Sequence, residues 1–279
     1  MQPPRTFDRE LIAERLRRRK PEAEDFVTKL ALDDLEDRLT VVTRTFKQAA
    51  ILSPDASRMP ERGNTRDGSF PFERYSTTGP YGLDPERLTL PKTGYDLIVS
   101  IFDLQVVNDV VGFLARVRQH LAPDGLFVAA AIGGDSLQEL RHAFLTAEAA
   151  LSGGAFARVA PFIPLADAGG LLQRAGLALP VTDIETHTVR YANPIALMQE
   201  IRALGASNPL AERPGRMMTP RLLAAAAQAY AEAFSDPDGR IRATLEIIWM
   251  SGWAPDESQQ KPLKPGSAQV SLKDVLGRA

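Results

Sequence analysis

The sequence has no cysteine, and this absence excludes several kinds of chemistry. Without thiols the chain cannot form disulfides, ligate a metal through thiolates or use a cysteine nucleophile. It also has no apolar run near the ~18 residues that a membrane-spanning helix needs, so we expect no transmembrane segment. The first residues lack the apolar core of a secretory signal. We therefore expect a protein of the reducing cytoplasm.

A basic excess is missing as well. The 279 residues carry 33 lysines and arginines against 35 aspartates and glutamates, a formal charge of −2. Because proteins that bind nucleic acids neutralise phosphates with basic residues, we expect no nucleic-acid partner. The one basic run, at 17–20, is interpreted either as an anion-binding arm or as a solvated helix end.

Several catalytic signatures are also absent. The sequence has neither a Gly-x-Ser-x-Gly motif nor a phosphate-binding loop. His120, His142 and His187 are isolated from one another and from carboxylates at ligand spacing. We therefore predict no metal site.

The central part of the chain alternates buried strands with amphipathic helices. Apolar runs at 95–101 and 126–132 are typical of central parallel strands, and helices are predicted over 108–120 and from Ser136 to about Leu151. Ser136 and Glu139 fit a capping box at the start of the second helix. This alternation predicts an α/β protein with a doubly wound, Rossmann-like sheet.

We predict a single domain made of three parts. Residues 1–44 form an N-terminal helical segment, 45–255 a Rossmann-like core with inserted helices, and 256–279 a polar tail. The later elements are helices near 167–175, 194–204 and 219–234, and strands at 179–191 and 241–253.

The segment after the first predicted strand is unusual. The strand at 46–52 is followed by residues 53–71, which are punctuated by proline and glycine and have no apolar stripe for a helix packed on a sheet. We interpret this segment as a loop, followed by a strand at 72–78.

Short motifs along nearly the whole chain carry a family resemblance. They include Phe7-Asp8-Arg9, Val107-Asn108-Asp109 and the residues at 95–100, 121–127, 133–137, 151–154, 158–162, 189–191, 252–253 and 258–268. With these motifs the chain resembles class I S-adenosylmethionine methyltransferases. The branch it resembles contains the methyltransferase-like assembly factors of respiratory complex I, cousins of the biotin-pathway malonyl-carrier-protein methyltransferase.

The resemblance implies S-adenosylmethionine as cofactor and a protein client, for this branch a subunit of respiratory complex I. It also implies a candidate activity, since mitochondrial members of the branch are associated with hydroxylating an arginine of such a subunit. The proline-stiffened end of the chain, with Gln259, Gln260, Lys261 and Lys264, is interpreted either as a partner contact or as a wrap over the protein's own sheet.

The chain departs from the family where the cofactor should bind. The first strand ends Ser53-Pro54-Asp55 without a Gly-x-Gly turn, and the second ends Thr77-Thr78-Gly79-Pro80 without an acid for the ribose. Gln105 and Val106 replace the family's aromatic and histidine residues. These departures predict that S-adenosylmethionine binding is weak or absent.

Several residues remain candidates for the site. Those that could still contact the cofactor are Ser53, Asp55, Asp84, Glu86, Ser100 and Phe102. Asp135, after the strand at 126–132, is a candidate general base.

Three functions stay open. The favoured one is a protein with weakened cofactor binding that binds a protein client, as an assembly factor does. The alternatives are an active methyltransferase with an atypical pocket and a hydroxylase of protein side chains.

Overall fold

The computed structural model describes residues 5–19, 25–213 and 218–260. Its helices are α1 (Arg9–Arg17), α2 (Phe26–Thr40), α3 (Val110–His120), α4 (Gln138–Ser152), α5 (Leu165–Arg174), α6 (Pro194–Ala203) and α7 (Pro220–Phe234). Its strands are β1 (Ala49–Ser53), β2 (Arg62–Thr65), β3 (Gly68–Ser76), β4 (Tyr95–Ile101), β5 (Leu121–Ile132), β6 (Ala178–Tyr191) and β7 (Ile241–Trp253).

The strands form one sheet in the order β2-β3-β1-β4-β5-β7-β6. Strands β3, β1, β4 and β5 are parallel, whereas β7 runs antiparallel to both β5 and β6. From β1 the chain moves to β3 on one side and then returns to β4 on the other side. This reversal creates a switch point at the carboxyl ends of β1 and β4, where ligands of open α/β sheets bind.

Both faces of the sheet are covered, as a doubly wound α/β fold requires. Helices α3 and α5 pack on one face, with Phe113, Leu114 and Leu172 in the buried cluster. Helix α2 packs on the other face through Leu35 and Leu39. The predicted fold class is therefore confirmed, including the N-terminal helices and the helices inserted between β6 and β7.

The prediction of a loop over 53–71 is wrong. A three-residue 3-10 turn, Ala56–Arg58, is followed by a hairpin of β2 and β3, and no α-helix lies between β1 and β4. Gly68 makes the tight turn with φ of 141°, and Phe70 is buried. A Cβ on Gly63 would lie 2.5 Å from the Phe70 ring, so the glycine permits this packing. The period-2 signal of so short a hairpin is hidden by its proline and glycine residues.

The predicted capping box is also wrong. Helix α4 starts after Leu137, whose backbone is left-handed at φ 56°, and no side chain caps it. The Ser136 hydroxyl instead donates to the Glu246 carbonyl oxygen and accepts from the Glu246 N–H. The Glu139 carboxylate accepts from the N–H and hydroxyl of Thr244. Both side chains therefore tie α4 to β7, a contact that the local sequence does not encode.

Within the described ranges, no helix combines the length and apolarity needed to cross a bilayer. The single-domain division stays a prediction, because residues 261–279, including Lys261 and Lys264 of the tail, lie outside those ranges. Gln259 is described, and its amide donates to the Asp124 carboxylate at 2.9 Å and to the Ala254 carbonyl at 2.8 Å. The start of the tail therefore binds the protein's own surface.

Candidate functional site at the carboxyl edge of the sheet

Helix α1 lies against the switch point, and its start is fixed by three contacts. Asp8 caps the helix by accepting from the Leu11 N–H at 3.1 Å, and its own N–H donates to the Pro209 carbonyl. The Phe7 N–H donates to the Asn108 side chain at 2.8 Å. The motif Phe7-Asp8-Arg9 thereby holds the third residue over the strand ends.

The Arg9 guanidinium connects the ends of β3 and β4. One nitrogen donates to the Thr77 carbonyl oxygen at 2.8 Å, just past β3, and both terminal nitrogens lie 3.2 Å from Asp103 Oδ1, just past β4. Since β1 lies between β3 and β4 in the sheet, this bridge crosses the end of the central strand. We call Arg9, Thr77 and Asp103 the arginine bridge.

The arginine bridge is buried. The Asp103 side chain is 0% exposed and that of Arg9 is 15% exposed. Burial raises the pKa of the Asp103 carboxyl because the charged form loses hydration, and the positive charge of Arg9 opposes this shift. Removing one partner would leave the other as an uncompensated buried charge.

The turn after β1 uses its polar groups internally. The Asp55 carboxylate accepts from the Ser57 N–H and hydroxyl and lies 3.3 Å from Arg58. The Ser53 hydroxyl accepts from the Asp55 N–H at 3.3 Å. Both residues line a cavity, but neither is without a partner, and their role as cofactor contacts stays a prediction.

A second brace joins the ends of β1 and β3. The hydroxyls of Ser76 and Thr78 both donate to the Pro54 carbonyl oxygen, at 3.0 and 2.6 Å. The end of β3 therefore presents hydroxyls directed toward the backbone of the neighbouring turn.

Asp84 and Glu86 are occupied by backbone contacts. Asp84 is exposed and accepts from the Glu86 N–H at 3.0 Å. The Glu86 carboxylate accepts from the N–H groups of Asn108 and Asp109 at 2.7 and 3.0 Å. Glu86 thus fixes the start of α3, and neither residue lines the cavities beside α1.

Ser100 and Phe102 flank the end of β4 but differ in access. Ser100 is completely buried within the sheet, and its hydroxyl has no hydrogen-bond partner among the described residues. Phe102 has a left-handed backbone with φ of 57°, which turns the chain sharply out of β4, and it lines the cavity.

An apolar cavity of about 280 Å³ lies beside the arginine bridge. It extends from β1 and β4 toward the end of β5 and the start of β7, and α1 and α6 close it. Its aliphatic lining includes Ile12, Leu16, Ile132, Leu140, Ile201 and Leu245. We call this space the apolar cavity; it lies at the same edge of the sheet as the arginine bridge.

Asp135 lies at this edge but does not line the apolar cavity. The residue is exposed, and its N–H donates to the Glu246 carboxylate at 2.8 Å. Its role as a base stays a prediction. Among residues 5–19, 25–213 and 218–260, no group of three histidine, aspartate or glutamate side chains could hold a metal ion.

Sequence reasoning missed the residues that shape this edge most strongly. Arg9 was recognised only as part of a motif, and Asp103 and Thr78 were not singled out as site residues. The available signal was an aspartate two residues after a buried strand, because a charge so close to a buried run needs a partner.

Comparisons with known proteins identify relatives of the chain. No family model matches it. It is 36% identical over 192 residues to the mitochondrial arginine-hydroxylase NDUFAF5 of Danio rerio, covering 69% of this chain and 60% of that one. The human protein of the same name is 37% identical, with 69% of this chain and 55% of that one covered.

A bacterial relative is named for a different activity. The malonyl-acyl-carrier-protein O-methyltransferase of Halorhodospira halophila is 33% identical over 195 residues, which make up 70% of this chain and 64% of the relative. The matches therefore span less than two thirds of the length of these relatives.

Proposed function

The chain belongs to the class I S-adenosylmethionine methyltransferase superfamily, and on that premise we propose that it binds a protein client while its own hold on S-adenosylmethionine is weak or lost. The observation that carries the proposal is the turn after β1, where Pro54 and the internally paired Asp55 stand at the strand end that ligands of open α/β sheets approach. We also propose that it works in the cytoplasm.

The turn after β1 does not fit the cofactor. Close approach of a ligand to the backbone needs glycine, whereas this turn has Pro54, which has no N–H, and Asp55, whose carboxylate already caps the turn and pairs with Arg58.

The ends of β3 and the following turn fit no better. Where the family has an acid that bonds the ribose, the end of β3 in this chain has the hydroxyls of Ser76 and Thr78. Both hydroxyls already donate to the Pro54 carbonyl oxygen, so they do not take over the role of the acid. The Glu86 carboxylate already accepts from the N–H groups of Asn108 and Asp109, just before α3. Each missing charge-assisted contact is worth about 1.5–3 kcal/mol, so losing several weakens binding by powers of ten.

The proposed client is a protein because both groups of relatives are consistent with one. The name of the bacterial relative includes an acyl-carrier protein. By resemblance to the assembly factors, the client of this chain is a subunit of respiratory complex I.

Isothermal titration with S-adenosylmethionine and S-adenosylhomocysteine tests the cofactor half of the proposal. We expect no saturable heat at ligand concentrations up to about 1 mM. The H. halophila relative, titrated in the same buffer, serves as the positive control. A micromolar dissociation constant for this chain would refute weak binding and would favour the active methyltransferase.

Co-purification tests the client half. The tagged full-length chain should retain one complex I subunit in stoichiometric amount after cross-linking, and recovery of none would contradict the proposal. Mass spectrometry of the retained subunit separates the alternatives. An unmodified subunit supports a binding role, an added oxygen on arginine supports the hydroxylase, and an added methyl group supports the methyltransferase.

A further inference from the structure

We infer that the apolar cavity binds a medium-chain acyl anion, with the hydrocarbon chain inside the cavity and the anionic group at an arginine-lined cleft beside α1. This inference concerns the part of the edge that the arginine bridge leaves open.

The size and lining of the cavity match a hydrocarbon chain. Its volume of about 280 Å³ is roughly twice the ~150 Å³ that accommodates a benzene ring, so it has room for a chain of roughly ten carbons. Aliphatic side chains from α1, α4, α6, β5 and β7 line it. A void of this size lined by aliphatic carbon gains from filling because its walls lack contacts on one side.

Most polar groups on the cavity wall are already paired. Ser136 exchanges hydrogen bonds with Glu246, and Thr244 donates to Glu139. Burial and the neighbouring Glu200 raise the pKa of the Tyr191 hydroxyl, which therefore stays neutral. A polar ligand would find few groups to bind there, whereas a hydrocarbon chain loses nothing.

The cavity adjoins a cleft of about 630 Å³ that is lined by three arginines and one acid. The two spaces share Leu16, Arg19, Pro54, Asp55 and Arg58. The two spaces therefore adjoin, which is the arrangement that an elongated ligand with an anionic end would need.

The three arginines of the cleft differ in their pairing. Arg19 lies 2.6 Å from Asp25, and Arg58 lies 3.3 Å from Asp55. Arg17 is exposed, and no ion pair is found for it within the described ranges. A carboxylate at the cleft would gain Arg17 as its partner, because Arg19 and Arg58 are each already paired with an aspartate.

A chain-length series is the first test. Hexanoate, octanoate, decanoate and tetradecanoate, all below their micellar concentrations, compete with a fluorescent fatty-acid probe for the full-length protein. Affinity should rise up to about fourfold for each added methylene and stop rising near ten carbons. Absence of competition by decanoate, or affinity independent of chain length, overturns the inference.

Filling the cavity is the second test. Ile201 lines the cavity on α6, and Ile201→Trp should weaken decanoate binding at least tenfold. Val181→Trp is the matched control, because Val181 is 61% exposed on β6 and lines neither space. Leu245→Phe on β7 repeats the test if Ile201→Trp does not fold. Equal affinities of the filled and control variants would contradict the cavity as the site.

The third test concerns the anionic group. Arg17→Gln should weaken decanoate binding roughly threefold, because an exposed ion pair is worth little, and should leave decanol binding unchanged. Arg18→Gln is the control, since Arg18 pairs with Glu14 and lines neither space. If both variants bind decanoate alike, or decanol binds as tightly as decanoate to the unchanged protein, the assignment of the anion to the cleft is wrong.

Discussion

The two halves of the carboxyl edge of the sheet are built in opposite ways. At β3, β1 and β4, charged and hydroxyl groups close the strand ends through the arginine bridge and the brace on Pro54. At β5 and β7, aliphatic side chains leave the apolar cavity open, and the polar groups behind it are turned toward one another. We call these the closed half and the open half.

The comparison shows that the same sheet can carry different chemical groups at its carboxyl edge, and these groups decide which ligands fit there. In the closed half, the hydrogen-bonding groups that a ligand would need already form hydrogen bonds within the protein. In the open half, the wall is mostly apolar carbon, and polar groups on it such as Ser136 and Thr244 are paired within the protein. On this ground we propose apolar ligands, rather than a charged nucleoside, for this edge.

The largest expected effect is on the closed half. Arg9→Met leaves the Asp103 carboxylate buried without its cation, so the free energy of unfolding should fall by about 3–5 kcal/mol in urea denaturation. The double variant Arg9→Met/Asp103→Leu should recover most of this loss, because the buried charge is removed with its partner.

Arg5→Met is the control for that prediction. The Arg5 side chain is 60% exposed and pairs with Asp8 at the surface, so its removal should change stability by less than about 0.5 kcal/mol. If Arg9→Met behaves like Arg5→Met, the arginine bridge does not hold the closed half.

A smaller loss of stability is expected for a variant behind the open half. Ser136→Ala leaves the buried N–H of Glu246 without its acceptor, so the free energy of unfolding should fall by about 1–3 kcal/mol. Ser258→Ala, an exposed serine that bonds Asp256, should be nearly neutral. A loss for Ser136→Ala as large as that for Arg9→Met would mean that the two halves are not held by different kinds of interaction.

The smallest effect is at the opposite, amino edge. The Gln259 amide and the Arg44 guanidinium lower the pKa of the Asp124 carboxyl below its ordinary 3.8. A lowered pKa means that the charged carboxylate stabilises the folded state above pH 3.8, and this contribution is lost as the pH falls through the lowered value.

We therefore expect Asp124→Asn to lower the Tm by no more than about a few degrees at pH 7, with the difference shrinking under acid conditions. Circular dichroism melts across the acid range measure it. Probe binding at the open half should not change, because Asp124 lies at the other edge. A difference in Tm that grows toward low pH would contradict the assigned sign.

The sequence predicted most of the fold because long elements carry strong periodic signals. The strands at 95–101 and 241–253 were placed to the residue, and the helix at 108–120 begins two residues later, as α3. The hairpin of β2 and β3 was missed because Gly63, Gly68 and Pro71 interrupt its alternation. The start of α4 was assigned to a local capping box although its partners lie on β7, over a hundred residues away.

The candidate site was less predictable. Ser53, Asp55 and Phe102 line the apolar cavity, and their role as cofactor contacts stays a prediction. Asp84 and Glu86 were also candidates, yet the carboxylate of Asp84 accepts from the Glu86 N–H and that of Glu86 from the Asn108 N–H. Spacing along the chain cannot show which N–H group a carboxylate will accept from, since that depends on segments brought together only by folding.

By itself, the order of apolar runs and helices determined the α/β sheet, and the missing glycines determined that the turn after β1 could not be of the usual kind. Only the tertiary structure decided that Arg9 would reach across β1 to Asp103, a residue 94 positions away, and that an apolar cavity would remain beside it. The physical reason is that strand propensity and burial depend on residues that are neighbours in the sequence. The partner of a buried charge and the side chains that line a cavity come from residues distant in the chain, which only folding brings together.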